Sequence, residues 1–145
     1  APGTHGRHAP LPAGSPVPLL LTAIPAGFPS PADDYVEKRL DFNEYLLPRP
    51  AASFCMRVAG ESMRGAGILA GDILVVDRSI SPRAGCVVIA IVDGEFTVKR
   101  LFLKKNGTMG LEADNPDWKD VRLGDGEDGF GVWGVVSAVV RRLEG

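Results

Sequence analysis

Ser62, in Val58-Ala59-Gly60-Glu61-Ser62-Met63, and Lys99, in Phe96-Thr97-Val98-Lys99-Arg100, are the two side chains on which nucleophilic chemistry could rest. A serine hydroxyl is a weak nucleophile at neutral pH and attacks a carbonyl only when a base takes its proton. A lysine can be that base once it is neutral, and burial among apolar groups favours the neutral form. Each residue also has a plainer role: Ser62 as the N-cap of a short helix, Lys99 as the exposed charge of an edge strand.

The elements that must position the pair are short β-rich runs from Ala52 onward. Ser53 to Val58 reads as a strand, Gly60 as a kink, and Ser62 to Ala66 as a helical turn whose free N–H groups could hold an oxyanion. Gly71 to Asp77 is a second strand. Gly85 to Val92 is a third, apolar throughout and hence expected to be buried on both faces. Asp93-Gly94 is a two-residue hairpin signal, and Glu95 to Leu103 returns as the partner strand. That loop length pairs Val92 with Glu95 and sets Val88 opposite Lys99. Alternation then puts Thr97, Lys99, Leu101 and Leu103 on one face and Phe96, Val98, Arg100 and Phe102 on the other. Lys104, Lys105 and Lys119 lie beside turn residues and are expected in solvent. Phe130 to Val140 is a long strand, or a pair broken at Gly134, suited to a core or a dimer surface.

The first fifty residues differ in kind. Ten of the 12 prolines lie there, each removing a backbone donor and disfavouring helix in the residue before it, so the segment reads as an extended arm. Within it, Ile24-Pro25-Ala26-Gly27-Phe28-Pro29-Ser30-Pro31 has small residues between apolar flanks, a strip that a protease could thread as a strand or that could serve as a linker. A short helix is expected around 32 to 38 with Asp33 or Asp34 at its positive end, and a further turn at Asn43 to Leu47. His5 and His8 lack partners at ligand spacing, so no metal site or cofactor is expected.

The composition narrows the function classes. The chain has 145 residues, 45% of them hydrophobic, enough for one core plus an appendage. Its 16 Lys+Arg against 18 Asp+Glu leave a net charge of −2, without the basic footprint of a stand-alone nucleic-acid binder. Leu19-Leu20-Leu21 is far short of the roughly 20 apolar residues of a membrane span, and a cytoplasmic protein is expected. Cys55 and Cys86 sit in apolar runs and read as small buried hydrophobes, neither disulfide-bonded nor catalytic.

Four ordered pieces together carry a resemblance. They are Ala26 to Glu37, Gly60-Glu61-Ser62-Met63, Gly71 to Asp77, and Asp93 to Lys99. Over about Ala26 to Arg142 the chain resembles the UmuD-like SOS-mutagenesis proteins of the LexA/UmuD family of self-cleaving serine–lysine peptidases. The resemblance implies a mainly β fold: a compact LexA/UmuD-type β-rich C-terminal peptidase and dimerisation domain, residues 46–145, behind an extended proline-rich N-terminal arm, residues 1–45. It implies autoproteolysis in which Lys99 takes the proton of Ser62, Ser62 attacks the Ala26 carbonyl, amides around Ser62 and Met63 hold the oxyanion, and the Ala26–Gly27 bond breaks. Ala26 stands where the UmuD archetype has Cys; a small residue is kept, so cleavage is expected to survive. The implied partners are a second copy of the chain in a homodimer, a RecA filament on single-stranded DNA that promotes cleavage, and the catalytic subunit of a Y-family translesion DNA polymerase. Direct sequence-specific DNA binding and membrane attachment are not expected. The region 104–129 matches the family poorly.

Three other readings bear on the same residues. A LexA-type repressor needs a DNA-binding domain of roughly 60 to 80 residues ahead of the cleavage site, where this sequence offers 26 proline-rich residues without a helix-turn-helix pattern. A signal peptidase shares Ser and Lys but needs a membrane anchor. A non-enzymatic interaction module would make Ser62 a cap and leave Lys99 in solvent, far from Ser62.

Overall fold

The computed structural model describes residues 14–32, 35–118, 122–123 and 129–145; His5, His8, Asp33, Asp34 and Lys119 lie outside the described residues. The chain divides into two compact units, Ala1–Pro48 and Arg49–Gly145.

In the first unit the arm folds back on itself. Strands β1 (Val17–Leu20) and β2 (Val36–Leu40) pair antiparallel, Val17 opposite Leu40, with an irregularity at Leu19/Leu20. Pro18 is tolerated because both strands of a two-stranded sheet are edges and a missing N–H can face outward. The helix expected around 32 to 38 is therefore overturned over its last residues. Val36 to Lys38 are extended because β-branched Val36 and its neighbours take their backbone partners from β1. Leu21 N–H donates to Tyr35 C=O at 2.7 Å and closes the loop that carries Ala26 and Gly27. That loop is exposed and bent instead of forming a strand, with Ile24 and Phe28 each 90% exposed. The expected turn after Phe42 is the short helix α1 (Phe42–Leu46), capped by the Asp41 carboxylate on Asn43 N–H and Glu44 N–H.

The second unit is a seven-stranded antiparallel sheet in the order β3-β4-β9-β5-β6-β7-β8. Its strands are β3 (Ser53–Arg57), β4 (Ile73–Asp77), β5 (Val87–Val92), β6 (Glu95–Leu103), β7 (Met109–Glu112), β8 (Arg122–Leu123) and β9 (Gly131–Val140). The β5–β6 hairpin has the expected register, Val92 opposite Glu95 and Val88 opposite Lys99. Asp93 and Gly94 both take positive φ, 52° and 78°, the backbone that a two-residue turn of matching twist requires. Alternation along β5 sends Val88 and Ala90 into one apolar cluster with Leu101, Leu111 and Val135, and Val87 and Ile89 into another with Leu74, Val76 and Met63.

β9 runs unbroken through Gly134 between β4 and β5. Its register shifts against β5 past Trp133 and against β4 past Ser137, so one extra residue bulges at each place. Trp133 packs between Phe54 and Phe96, with ring centroids 5.2 and 5.4 Å away, under the Arg78 guanidinium. Cys55 corrects an expectation: it is exposed, because β3 is the edge strand and part of its surface is uncovered, while Cys86 is half-buried; both are free thiols. Lys105 is exposed as expected, whereas Lys104 is half-buried.

Candidate active site

Ser62 lies in the connection between β3 and β4. Val58 C=O accepts from Gly71 N–H at 2.9 Å and Val58 N–H donates to Asp72 C=O at 2.8 Å, which closes the base of that loop. Gly60, with φ 85°, turns the chain where a side chain would be strained. The helical turn expected at Ser62 to Ala66 is a single 3-10 turn, Arg64–Ala66, capped by Met63 without a side-chain bond. Ser62 is thus no N-cap, and its hydroxyl meets a lysine.

That lysine is Lys99. Its Nζ lies 3.0 Å from Ser62 Oγ, 3.0 Å from Thr97 Oγ1 and 3.2 Å from the Val98 carbonyl oxygen. On the sheet Lys99 stands opposite Val88, and Thr97 opposite Ala90, both fully buried. Lys99 is itself only 7% exposed, and this burial lowers its pKa from the ordinary lysine value. A buried lysine with no carboxylate among its hydrogen-bond partners is the arrangement that favours a neutral amine. The cleft in front of the pair, about 340 Å³, is walled by Met56, Leu74, Ile89, Phe96 and Val98. Arg57, Glu61 and Thr97 also line it.

A second segment touches the Ser62 turn. Asp114 N–H donates to Ser62 C=O at 2.9 Å, Gly65 N–H to Asp114 C=O at 2.5 Å, and Asn115 Nδ2 to Glu61 C=O at 2.6 Å. A Cβ on Gly65 would come within 2.7 Å of the Asp114 carbonyl oxygen, so the close approach needs glycine there. The sequence singled out neither Asp114 nor Asn115 for the site; Asn115-Pro116 read only as a turn. Thr97 was placed on the face of Lys99 but given no task, although its position two residues before a strand lysine is the signal that could have found it. Among the described residues, no three His, Cys, Asp or Glu side chains gather as a metal site.

Comparison with known proteins decides the family. The family model described as Peptidase S24-like matches residues 18–137. The chain belongs to the Peptidase S24-like family. It is 46% identical to protein ImpA of Escherichia coli over 125 residues, covering 86% of this chain and 83% of that protein. It is 40% identical to protein MucA of Escherichia coli over 121 residues, 83% of this chain and 82% of MucA. The LexA repressor of Shewanella baltica is 37% identical over 122 residues, 84% of this chain and 58% of the repressor. The resemblance drawn from four short pieces thus extends over most of the chain, and this S24 member is UmuD-like. No helix among the described residues is long and apolar enough to cross a membrane.

Proposed function

We propose that this protein is a self-cleaving serine peptidase of the SOS response that cuts its own Ala26–Gly27 bond. The observation that carries the reading is the 3.0 Å contact between Ser62 Oγ and a buried Lys99 Nζ. Lys99, neutral, takes the Ser62 proton as Oγ attacks the Ala26 carbonyl, and the Met63 amide helps to hold the oxyanion. The tetrahedral species collapses to an acyl-enzyme on Ala26 as the protonated lysine gives its proton to the Gly27 amine. Water then enters along the same path, with Lys99 again as base. Because the cleaved bond belongs to the chain itself or to a second copy, proximity takes the place of a deep recognition pocket.

In the cell, a RecA filament on single-stranded DNA would promote the cut. The shortened chain would then act in the cytoplasm as a homodimer, serving as accessory subunit of a Y-family translesion polymerase. The four matched sequence pieces and the UmuD-like relatives support this setting. An interaction module without catalysis would need Lys99 in solvent and away from Ser62, and the geometry is the reverse.

The test is incubation of the purified protein over a range of pH, read by intact mass. A cut after Ala26 is expected, faster as pH rises because Lys99 loses its proton, and slowed roughly a thousandfold or more in Ser62→Ala and in Lys99→Ala. Undiminished cleavage in both variants would show that the dyad is misassigned.

A further inference from the structure

The segment after β7 reaches the nucleophile turn through two carbonyl groups, and both are informative. Glu61 C=O accepts from the side-chain amide of Asn115 at 2.6 Å and, at the longer distance of 3.2 Å, from Arg64 N–H, and Ser62 C=O accepts from the Asp114 N–H. A trans peptide unit is planar, and its C=O and N–H point in opposite directions. Holding the Glu61 carbonyl therefore fixes where the Ser62 N–H points. Holding the Ser62 carbonyl fixes where the Met63 N–H points. Both donors are turned away from Asp114 and Asn115, and among the described residues none accepts from either. Asn115 is itself tightly held: it is 4% exposed, and its Oδ1 accepts from Asp117 N–H at 2.9 Å, which sets the amide with its NH2 toward Glu61. Asp114 is anchored in turn by Arg100, 2.8 Å away, whose other nitrogen donates to Gly85 C=O at 2.7 Å.

We propose that Asn115, together with the Asp114 amide, is the positioning element that aims the Ser62 and Met63 N–H groups at the oxyanion of the self-cleavage reaction. This rests on the peptidase reading above and adds to it the part that holds the hole open. Asn115 touches no reacting atom. It acts through the Glu61–Ser62 peptide plane, and a rotation of that plane by some tens of degrees takes the donor off the oxyanion, where alignment decides hydrogen-bond strength.

The substitution that isolates this role is Asn115→Asp. It keeps the shape and the Oδ1 acceptor for Asp117, but it puts a carboxylate oxygen where the donor to Glu61 C=O stood. Self-cleavage is followed by intact mass across pH for wild type, Ser62→Ala, Asn115→Asp and Asn115→Ala. The expected result is a plateau rate lowered roughly ten- to a hundredfold in both Asn115 variants. In Asn115→Ala, which brings in no charge, the midpoint of the rate–pH curve should stay at the wild-type value, and the near-ultraviolet circular dichroism should be native in both variants. A rate within twofold of wild type in both variants, a displaced midpoint in Asn115→Ala, or loss of the native spectrum in both variants would each overturn the proposal. The last would mean that Asn115 holds the fold and not the donors. Cleavage that persists in Ser62→Ala would instead strike the peptidase reading, so the two failures are distinguishable.

Discussion

Lys99 Nζ has three oxygen neighbours, and its protonation state decides what each one does. As an ammonium it donates to Ser62 Oγ, Thr97 Oγ1 and Val98 C=O together. As a neutral amine it has two N–H bonds and one lone pair. If Thr97 and Val98 take the N–H bonds, the lone pair is left facing Ser62 Oγ, which is the geometry a general base needs. Thr97 thereby both aims the amine and tunes it. Its hydroxyl oxygen accepts from the ammonium and favours the charged form, so removing it should lower the lysine's pKa beyond what burial already does. Thr97→Val is therefore expected to slow cleavage about tenfold at the plateau while moving the rate–pH curve toward lower pH. A curve moved to higher pH, or an unchanged rate, would show that Thr97 is a bystander.

At the scale of elements, the site depends on β9 and on the hairpin that it supports. Gly134 of β9 faces Val76 so closely that a Cβ would lie 2.6 Å from its Cγ1. Gly134→Ala should destabilise the sheet by about 1–3 kcal/mol, read as a lower urea midpoint with an unchanged slope. An unshifted midpoint would mean that β4 and β9 part freely. The hairpin was legible in the sequence because Asp93-Gly94 marks a two-residue loop between two strand-like runs, which leaves one register, and in that register Lys99 stands opposite the buried Val88. The β1–β2 pair was not legible. Prolines at 16 and 18 argue against a strand, and its partner lies across a loop that no local signal spans. The Ser62 and Lys99 side chains announced themselves by type, but the segment that clamps the Ser62 turn did not. Two of its three bonds use backbone groups that every residue carries, and the third comes from an asparagine whose Asn-Pro context reads only as a turn.

Across the whole second unit, the residue that follows the end of β9 is tied to the loop that carries Ser62. Arg141, just past β9, grips Asp72 with two hydrogen bonds, Nε to Oδ1 at 2.6 Å and a terminal nitrogen to Oδ2 at 2.5 Å, and also donates to Gly67 C=O at 2.8 Å. Asp72 is 2% exposed and accepts further from Leu69 N–H at 2.8 Å. The Arg141 hydrogen bonds, with help from the Leu69 amide, lower the carboxyl from its ordinary 3.8 to about 2. A carboxylate whose pKa falls on folding stabilises the fold above its unfolded pKa, and that stabilisation is lost as pH falls through the folded value. Arg141→Ala should thus lower the melting temperature by several degrees at neutral pH, because a buried carboxylate loses its counter-charge. The gap between variant and wild type should close as pH drops from about 3.8 toward 2, since wild type alone has this stabilisation to lose. Thermal melts of both proteins across that window check it, and a gap that stays constant would show that the pair contributes packing and no charge. If the gap closes as expected, self-cleavage measured well above the window should also fall in Arg141→Ala, because Gly67 belongs to the same loop as Ser62 and loses its bond to the residue that follows β9.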